Sequence, residues 1–552
     1  STALLIRALR FLGAKVDYAI PSRMTEGYGL NQRIVEEFYQ EGVRLILTVD
    51  NGIAAVEPIA RAKELGLRVI VTDHHDIPEK LPPADAILNP KLIAEESPYR
   101  GLAGVGVAYV LALSLAKAMG QTQVLSQPLL ELFTLGTIAD LAPLTGVNRR
   151  WVRRGLCLLA RSQLPGVQAL IQISGVGNAQ PLKPEAIGFG LGPRINAVGR
   201  LGDPQLVIEL LTTDDAGLAL ERAMQCEQIN QERQRLCREI EQEAIALYEA
   251  SVADLHADRV LTLVKEGWHH GVIGIVASRL VERYGAPVFI ATYEDDEHRV
   301  IRGSARSIPE FHVFAALEYC SDLLTKFGGH RAAGGFSLQA ENWSALQSRL
   351  SEFAHQSLQP DHLKPLVAVD VQADLAQITR DLYDQLDTLH PCGIGNPDPV
   401  FWTPNVRIIS QQPMGKDRSH LRVTLVQDVV QDASPSASDR PASSHPQPNT
   451  PRSMRALAWN WGGYYPLPER VDVAYQLRLN DWDGETSVEL ELVGVRLPSQ
   501  LPASPPVAFT YEDRNYTAML VALDSDRELR IKNAQGHELV VKQGQKTALL
   551  FE

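Results

Sequence analysis

The chain of 552 residues has few cysteines: Cys157, Cys226, Cys237, Cys320 and Cys392. They lie far apart, are odd in number and form no CxxC pair, which argues against a disulfide framework or a zinc knuckle and favours a reducing compartment. A long hydrophobic run is also lacking. The longest, residues 106–119, carries Lys117 and falls short of the roughly 20 apolar residues that span a bilayer. With no signal peptide at its start, a cytoplasmic protein without membrane contact is expected. There is no basic excess either: 53 Lys and Arg stand against 66 Asp and Glu, a net charge of −13. That mean disfavours a nucleic-acid partner, because phosphate contacts come from Lys and Arg, but it does not report on a local basic channel. An initiating Met is missing as well. Ser1 opens directly onto an apolar helix-like run, residues 3–11, as a fragment would.

What is present is ordinary for a globular protein, with 45% hydrophobic and 22% charged residues. At about 100–200 residues per domain the length predicts three to five domains. Residues 1–145 alternate strand and helix: an apolar run at 45–49 ends at Asp50, a helical pattern covers 56–65, and a second apolar run at 69–72 ends at Asp73. Such alternation predicts an α/β fold with a doubly wound parallel sheet, in which ligands bind beyond the carboxyl ends of the strands. That first domain is assigned residues 1–212. A long polar helix over 213–251, capped by Thr213 or Asp214, reads as a connector. A second α/β domain follows over 252–358, with strands at 260–264 and 287–292 around a helix at 272–284. Residues 365–498 are strand-rich (367–371, 406–410, 420–426, 455–459, 471–479, 488–495) and suggest a small barrel. A stretch dense in Pro, Ser and Asp at 428–454 interrupts it and is expected to be a disordered loop. Residues 499–552 read as a β-rich appendage.

Three segments carry chemistry. Val71–Asp76 reads V-T-D-H-H-D, placing Asp73, His74 and His75 at a strand end, and carboxylates with imidazoles suit Mn²⁺ or Mg²⁺. Leu47–Ile53 reads L-T-V-D-N-G-I, with Asp50 at the neighbouring strand end and Asn51-Gly52 turning the backbone behind it. Leu135–Leu141 reads L-G-T-I-A-D-L and ends in Asp140, which a strand-end placement like that of the other two segments would bring into the same crevice. Alone, Asp50 reads equally well as a helix N-cap, and Asp140 more readily as a cap than as a ligand. Together they would gather more acidic groups than one site tolerates without cations, because like charges at close range raise each other's pKa. Gly104-Val105-Gly106 lacks the third glycine of a dinucleotide loop and reads as a helix start. Gly328 and Gly329, with Gly334 and Gly335, would let backbone amides approach a phosphate, assisted by His330 and Arg331, or would make a tight packing turn. Ser304 and Arg306, two apart, point the same way on a strand and could grip one phosphate, or could be edge-strand polarity.

The order L-T-V-D-N-G, V-T-D-H-H, G-T-I-A-D resembles the DHH phosphoesterase superfamily. The later motifs resemble its RecJ-type nucleases: G-P-R-I-N-A-V-G-R-L-G-D from Gly192, G-W-H-H-G-V-I-G from Gly267, G-S-A-R-S-I from Gly303, F-G-G-H-R-A-A-G-G-F from Phe327 and H-P-C-G-I-G-N-P from His390. The resemblance runs through residues 1–495. It implies a DHH domain, a DHH-associated domain and an OB-like barrel. It implies 5′-to-3′ hydrolysis of single-stranded DNA in repair and recombination by two Mn²⁺ or Mg²⁺ ions. The implied metal ligands are Asp50, Asp73, His74 and Asp140, with His75 in or behind the ligand shell. Arg23, Ser304 and Arg306 would hold a 5′-terminal phosphate, and Asn196, Arg200 and His330 would lie near the reacting phosphate; His269 matches a family histidine of less defined role. A monomer working beside a helicase or a single-strand-binding protein is implied. Such nucleases carry D-x-D-x-D-G upstream of the segment resembling residues 1–12, so a chain without it is expected to bind metal weakly and cleave little. Two alternatives stay open: another DHH phosphoesterase acting on polyphosphate or short oligonucleotides, or a non-catalytic DNA-binding scaffold.

Overall fold

A computed structural model describes residues 1–21, 29–176, 182–251, 254–364, 366–415, 418–427, 453–482, 485–498, 507–511, 514–523, 526–533 and 538–542. The chain divides into two compact units, residues 1–366 with 390–397, and residues 367–389 with 398–552.

The first unit opens with helices α1 (Thr2–Phe11) and α2 (Gln32–Gln40), then strand β1 (Leu45–Val49), α3 (Val56–Glu64), β2 (Arg68–Thr72) and β3 (Ala86–Leu88). These strands form a parallel sheet in sequential order, as the alternating pattern predicts. Its core is Val35, Ile46, Ile59, Ala62, Val69 and Val71, the inward side chains of helices and strands. Beyond β3 the polypeptide is helical: α4 (Gly104–Ala118), α5 (Thr122–Ala139), α6 (Gly146–Leu159) and α7 (Pro165–Ser174), then a π turn at Ala186–Leu191 running into α8 (Gly192–Leu201), and α9 (Gln205–Thr212). The segment ending in Asp140 is thus the end of an 18-residue helix, not a strand tip.

The connector is α10 (Ala216–Ala250). Its N-cap is Asp215, whose Oδ1 accepts from Leu218 N at 2.8 Å, rather than Thr213 or Asp214. The second lobe of this unit contains α11 (Leu255–Asp258), β4 (Leu261–Val264), α12 (His270–Tyr284), β5 (Val288–Tyr293), β6 (Val300–Arg306), α13 (Val313–Tyr319), β7 (Lys326–Gly329), β8 (Ala333–Gln339) and α14 (Trp343–Ser357). The sheet order is β4-β5-β6-β8-β7, with only β4 and β5 parallel.

In the second unit, β9 is confined to Val371–Gln372, shorter than the strand predicted at 367–371, because only these residues find a ladder partner at Phe401–Trp402. After α15 (Arg380–Asp387) come β10 (Phe401–Met414), β11 (His420–Val426), β12 (Ser453–Ala458), β13 (Arg470–Trp482) and β14 (Glu485–Arg496). Pairing of β11 with β10 closes the five long strands into a barrel. Alternate residues fill it, among them Val406, Leu421, Val423, Val471, Val473 and Tyr475. Of the expected loop at 428–454, residues 428–452 lie outside the described residues and the last two belong to β12. A separate antiparallel meander comprises β15 (Val507–Tyr511), β16 (Arg514–Leu523), β17 (Asp526–Asn533) and β18 (Glu538–Lys542). Among the described residues no helix is long and apolar enough to cross a membrane.

Candidate active site

The ladder between β1 and β2 continues one residue past each strand. Asp50 N donates to Thr72 O at 2.8 Å and Asp73 N to Leu88 O at 3.0 Å, which sets the two acids side by side at the carboxyl end of the sheet. Asp50 has φ +64°, a conformation that Asp tolerates better than most residues. Gly52, at φ +107°, turns the chain back so tightly that a Cβ there would lie 2.6 Å from Thr48 Oγ1.

His74 Nε2 lies 3.2 Å from Asp50 Oδ1 and 3.6 Å from Asp140 Oδ2, so strand end, loop and the C-cap of α5 meet at one imidazole. Asp50, His74 and His75 each offer a ligand atom within 4.8 Å of the others. Burial, and next the charge of Asp50, push the Asp140 carboxyl above the usual carboxylate range. Paired acids that cost this much together, backed by imidazoles, fit a divalent cation.

Asp73 is buried beside the cluster. It is 1% exposed. Its Oδ1 accepts from His74 N at 2.7 Å and His75 N at 3.2 Å and lies 2.6 Å from His75 Nδ1, while Oδ2 accepts from Ile53 N at 2.9 Å. Burial opposes the charge, but the bonds from His75 and the backbone amides outweigh it and hold Asp73 below the usual carboxylate range. Both of its oxygens are thus engaged by His75 and the backbone amides, and His75 joins Asp50 and His74 in the cluster. His75 in turn is raised above the usual imidazole range, chiefly by Asp73.

The cluster borders a cavity of about 350 Å³ lined by Asp50, Asn51, Leu135 and Asn196 among others. Helix α8 runs from there to the second lobe. Asn196 Nδ2 donates to Ala139 O at 3.1 Å, next to Asp140, and one turn later Arg200 Nη1 donates to Gly271 O at 3.2 Å. His269 is the N-cap of α12, its Nδ1 accepting from Gly271 N at 3.1 Å. On β6, Arg306 Nη1 donates to Ser304 Oγ at 3.2 Å, and both side chains face Gly274 of α12, where a Cβ would meet them at 2.8 Å (Ser304 Oγ) and 3.1 Å (Arg306 Nη2). Burial, then Arg200, lowers Arg306 from the ordinary arginine range, and among the described residues it has no ion-pair partner. A sheltered guanidinium of this kind favours an anion.

Gly329, at φ +151°, is needed by its own hairpin, since a Cβ would stand 2.4 Å from Ala333 O; Gly328 faces open space. His330 Nδ1 pairs with Asp76 Oδ2 at 3.1 Å, and Asp76 Oδ1 accepts from Lys91 Nζ at 2.6 Å, tying the two lobes across the site. Asp76 was not singled out from sequence, although it closes the V-T-D-H-H-D segment; Gly104, read from sequence only as a helix start, packs on Asp50. Arg23 lies outside the described residues.

Three family profiles match the chain: "DHH family, N-terminal domain" at residues 1–137, "DHHA1 domain" at 257–356 and "RecJ OB domain" at 369–434. The chain is 39% identical over 425 residues to the single-stranded-DNA-specific exonuclease RecJ of Bacillus subtilis, covering 77% of this chain and 53% of that protein. The chain thus spans about half the length of that relative. It is 36% identical to the RecJ of Haemophilus influenzae, covering 77% of this chain and 76% of that protein. The crystal structure of RecJ in complex with Mn²⁺ from Thermus thermophilus superimposes with a TM-score of 0.73 at 30% identity, covering 91% of this chain and 68% of that one; a second structure of that protein is a complex with Mg²⁺. On these matches, across the same three domains that the fold displays, the chain belongs to the RecJ family of single-stranded-DNA-specific exonucleases.

Proposed function

We propose that the protein removes nucleotides from the 5′ end of single-stranded DNA by metal-dependent hydrolysis. The observation that carries this reading is the convergence of Asp50, His74 and His75 within 4.8 Å, with Asp140 beside His74. Asp50, His74, His75 and Asp140 would hold a pair of Mn²⁺ or Mg²⁺ ions. Bound there, such ions act as Lewis acids toward a phosphodiester and lower the pKa of water.

The remaining work falls to the chain itself. Asp73 fixes the His75 ring by accepting at Nδ1, so the proton sits on the side away from the cluster. Asn196 and Arg200, one turn apart on α8, line the path from the cluster toward α12 and β6. Ser304 and Arg306 supply a hydroxyl and a guanidinium at that far end, a pair suited to a terminal phosphate; holding the 5′ end there sets direction. The barrel would track the strand by charge and stacking. The setting we envisage is DNA repair and recombination, the protein acting as a monomer beside a helicase or a single-strand-binding protein.

The test uses the full-length protein on 5′-phosphorylated single strands with Mn²⁺. His74→Ala and Asp140→Ala should each abolish cleavage while leaving DNA affinity within a few-fold. Cleavage surviving in both variants would remove the cluster from the chemistry.

A further inference from the structure

From Leu141 to Pro184 the chain contains no aspartate or glutamate. The same stretch carries Arg149, Arg150, Arg153, Arg154, Arg161 and Lys183, in a chain of net charge −13. Most of that charge lies on α6. The inner face of this helix is Val147, Val152, Gly155, Leu156 and Leu159, packed on α5 so closely that a Cβ on Gly155 would lie 1.8 Å from Thr134 Oγ1. Burial of that face settles what the other presents: Arg150, Arg153, Arg154 and Cys157 are exposed, and Arg161 follows just past the helix. Steps of three, four and seven residues from Arg150 keep these side chains on one face.

Some arginines elsewhere are balanced by acids. Arg235 pairs with Glu232 and Glu239, and Arg222 with Glu209 and Glu221. Among the described residues Arg150, Arg153 and Arg154 have no acidic partner. Like charges at this spacing destabilise a helix by about 0.2–0.5 kcal/mol per pair, a cost that a polyanion would offset. The stripe also has a position. Asp140 caps α5 and α6 begins at Gly146; at no more than ~3.6 Å per residue, that link puts the start of α6 within roughly 22 Å of Asp140. Arg150 lies one turn further, within about 28 Å, which a stacked strand at ~3.4 Å per nucleotide covers in roughly eight nucleotides.

We propose that Arg150, Arg153 and Arg154 bind the sugar–phosphate backbone of the substrate strand on the 3′ side of the nucleotide being removed. This rests on the reading of the cluster as a 5′-end nuclease site. It supplies the local basic surface that the acidic mean charge conceals. The contacts are to phosphates, so they hold the strand without reading sequence.

The experiment compares the parent with Arg150→Gln/Arg153→Gln/Arg154→Gln, in chelator, on 5′-phosphorylated single strands of 4 and 20 nucleotides over a salt series. For the 20-mer the slope of log Kd against log salt should fall by about 2, at ~0.7 per lost phosphate contact, and low-salt affinity should drop about tenfold or more. Binding of the 4-mer should not change. A photo-crosslinker on Cys157, the one exposed cysteine, should mark interior nucleotides of the 20-mer and leave its 5′ nucleotide unmarked; this needs no arginine substitution and stands if the triple variant misfolds. An unchanged 20-mer slope, an equal loss on both lengths, or no crosslink overturns the proposal, and would leave an acidic protein as the occupant. A parent that binds neither oligonucleotide defeats the nuclease reading as well, whereas a parent that binds both with an unchanged slope defeats only the arginine stripe.

Discussion

Gly104 packs directly on Asp50: a Cβ on the glycine would stand 1.9 Å from the carboxylate Oδ1 and 2.8 Å from the aspartate's own Cβ. The first residue of α4 is therefore the wall behind the acid. Asp50 cannot retreat easily, because its backbone already sits at φ +64° in a turn closed by Gly52. Gly104→Ala should displace the carboxylate and weaken Mn²⁺ binding roughly 10–100-fold, the scale seen when the support of a ligand is lost. Calorimetric titration with Mn²⁺ measures this, and unaltered affinity would mean that Asp50 is not held for a cation.

Asp73→Asn separates a ligand from a positioning residue. The amide would aim N–H groups at amides that now donate to the carboxylate, leaving buried donors unmet at a cost of about 1–3 kcal/mol. Metal affinity should stay within a few-fold, while cleavage falls roughly 10–100-fold through the released His75 ring. If Asp73→Asn instead loses metal as completely as Asp50→Ala does, Asp73 is a ligand after all.

Arg306→Ala should reduce the preference for 5′-phosphorylated over 5′-hydroxyl ends about tenfold or more, with little effect on the rate at saturating substrate. Gly274→Ala should do the same by a separate route, because its methyl would crowd Ser304 Oγ and Arg306 Nη2. Competition between the two end types in one reaction gives the ratio directly; end selectivity intact in both variants would leave this pair without a substrate role.

Glu131 offers a pH test far from the chemistry. It is buried on α5, where it accepts from Ser162 Oγ. Burial raises its pKa, the bond from Ser162 only partly opposing it. An acid whose folded pKa exceeds its unfolded value binds more protons when folded, so this stabilisation is lost as pH climbs from the unfolded value through the folded one. Glu131→Gln, uncharged at every pH, should melt higher than the parent above that window and at about the same temperature below it. Melting curves from pH 4 to 8 give the comparison; parallel curves for the two proteins would show that Glu131 does not titrate with folding.

The parts legible in the sequence were those governed by short-range periodicity. β1 runs from Leu45 to Val49, as its apolar run indicated, and Gly104 does begin a helix. Asp140 was misplaced on a strand because a seven-residue apolar window cannot separate a buried strand from the end of a buried helix. Here the helix is α5, and it tolerates Pro128 within it. Residues 367–371 have strand composition, yet only Val371 of them is paired, since composition supplies no neighbouring strand. The inward turn of Asp73 toward His75 and the backbone was invisible for a similar reason. Spacing puts Asp73 and His75 together, but the donor that turns Asp73 inward, Ile53 N, lies 20 residues away.

By itself the sequence determined which chemistry was available: acids and imidazoles at strand ends, glycines where backbones meet, a hydroxyl and a guanidinium two apart on one strand. Those follow from residue type and local period, which the chain carries at every point. Tertiary structure alone decided which oxygen faces a neighbour and which faces the cavity, and that Asp140 arrives from a helix to stand 3.6 Å from His74. Such choices depend on distances between atoms far apart along the chain, fixed only when β1, β2, α4 and α5 pack and their buried amides claim their acceptors.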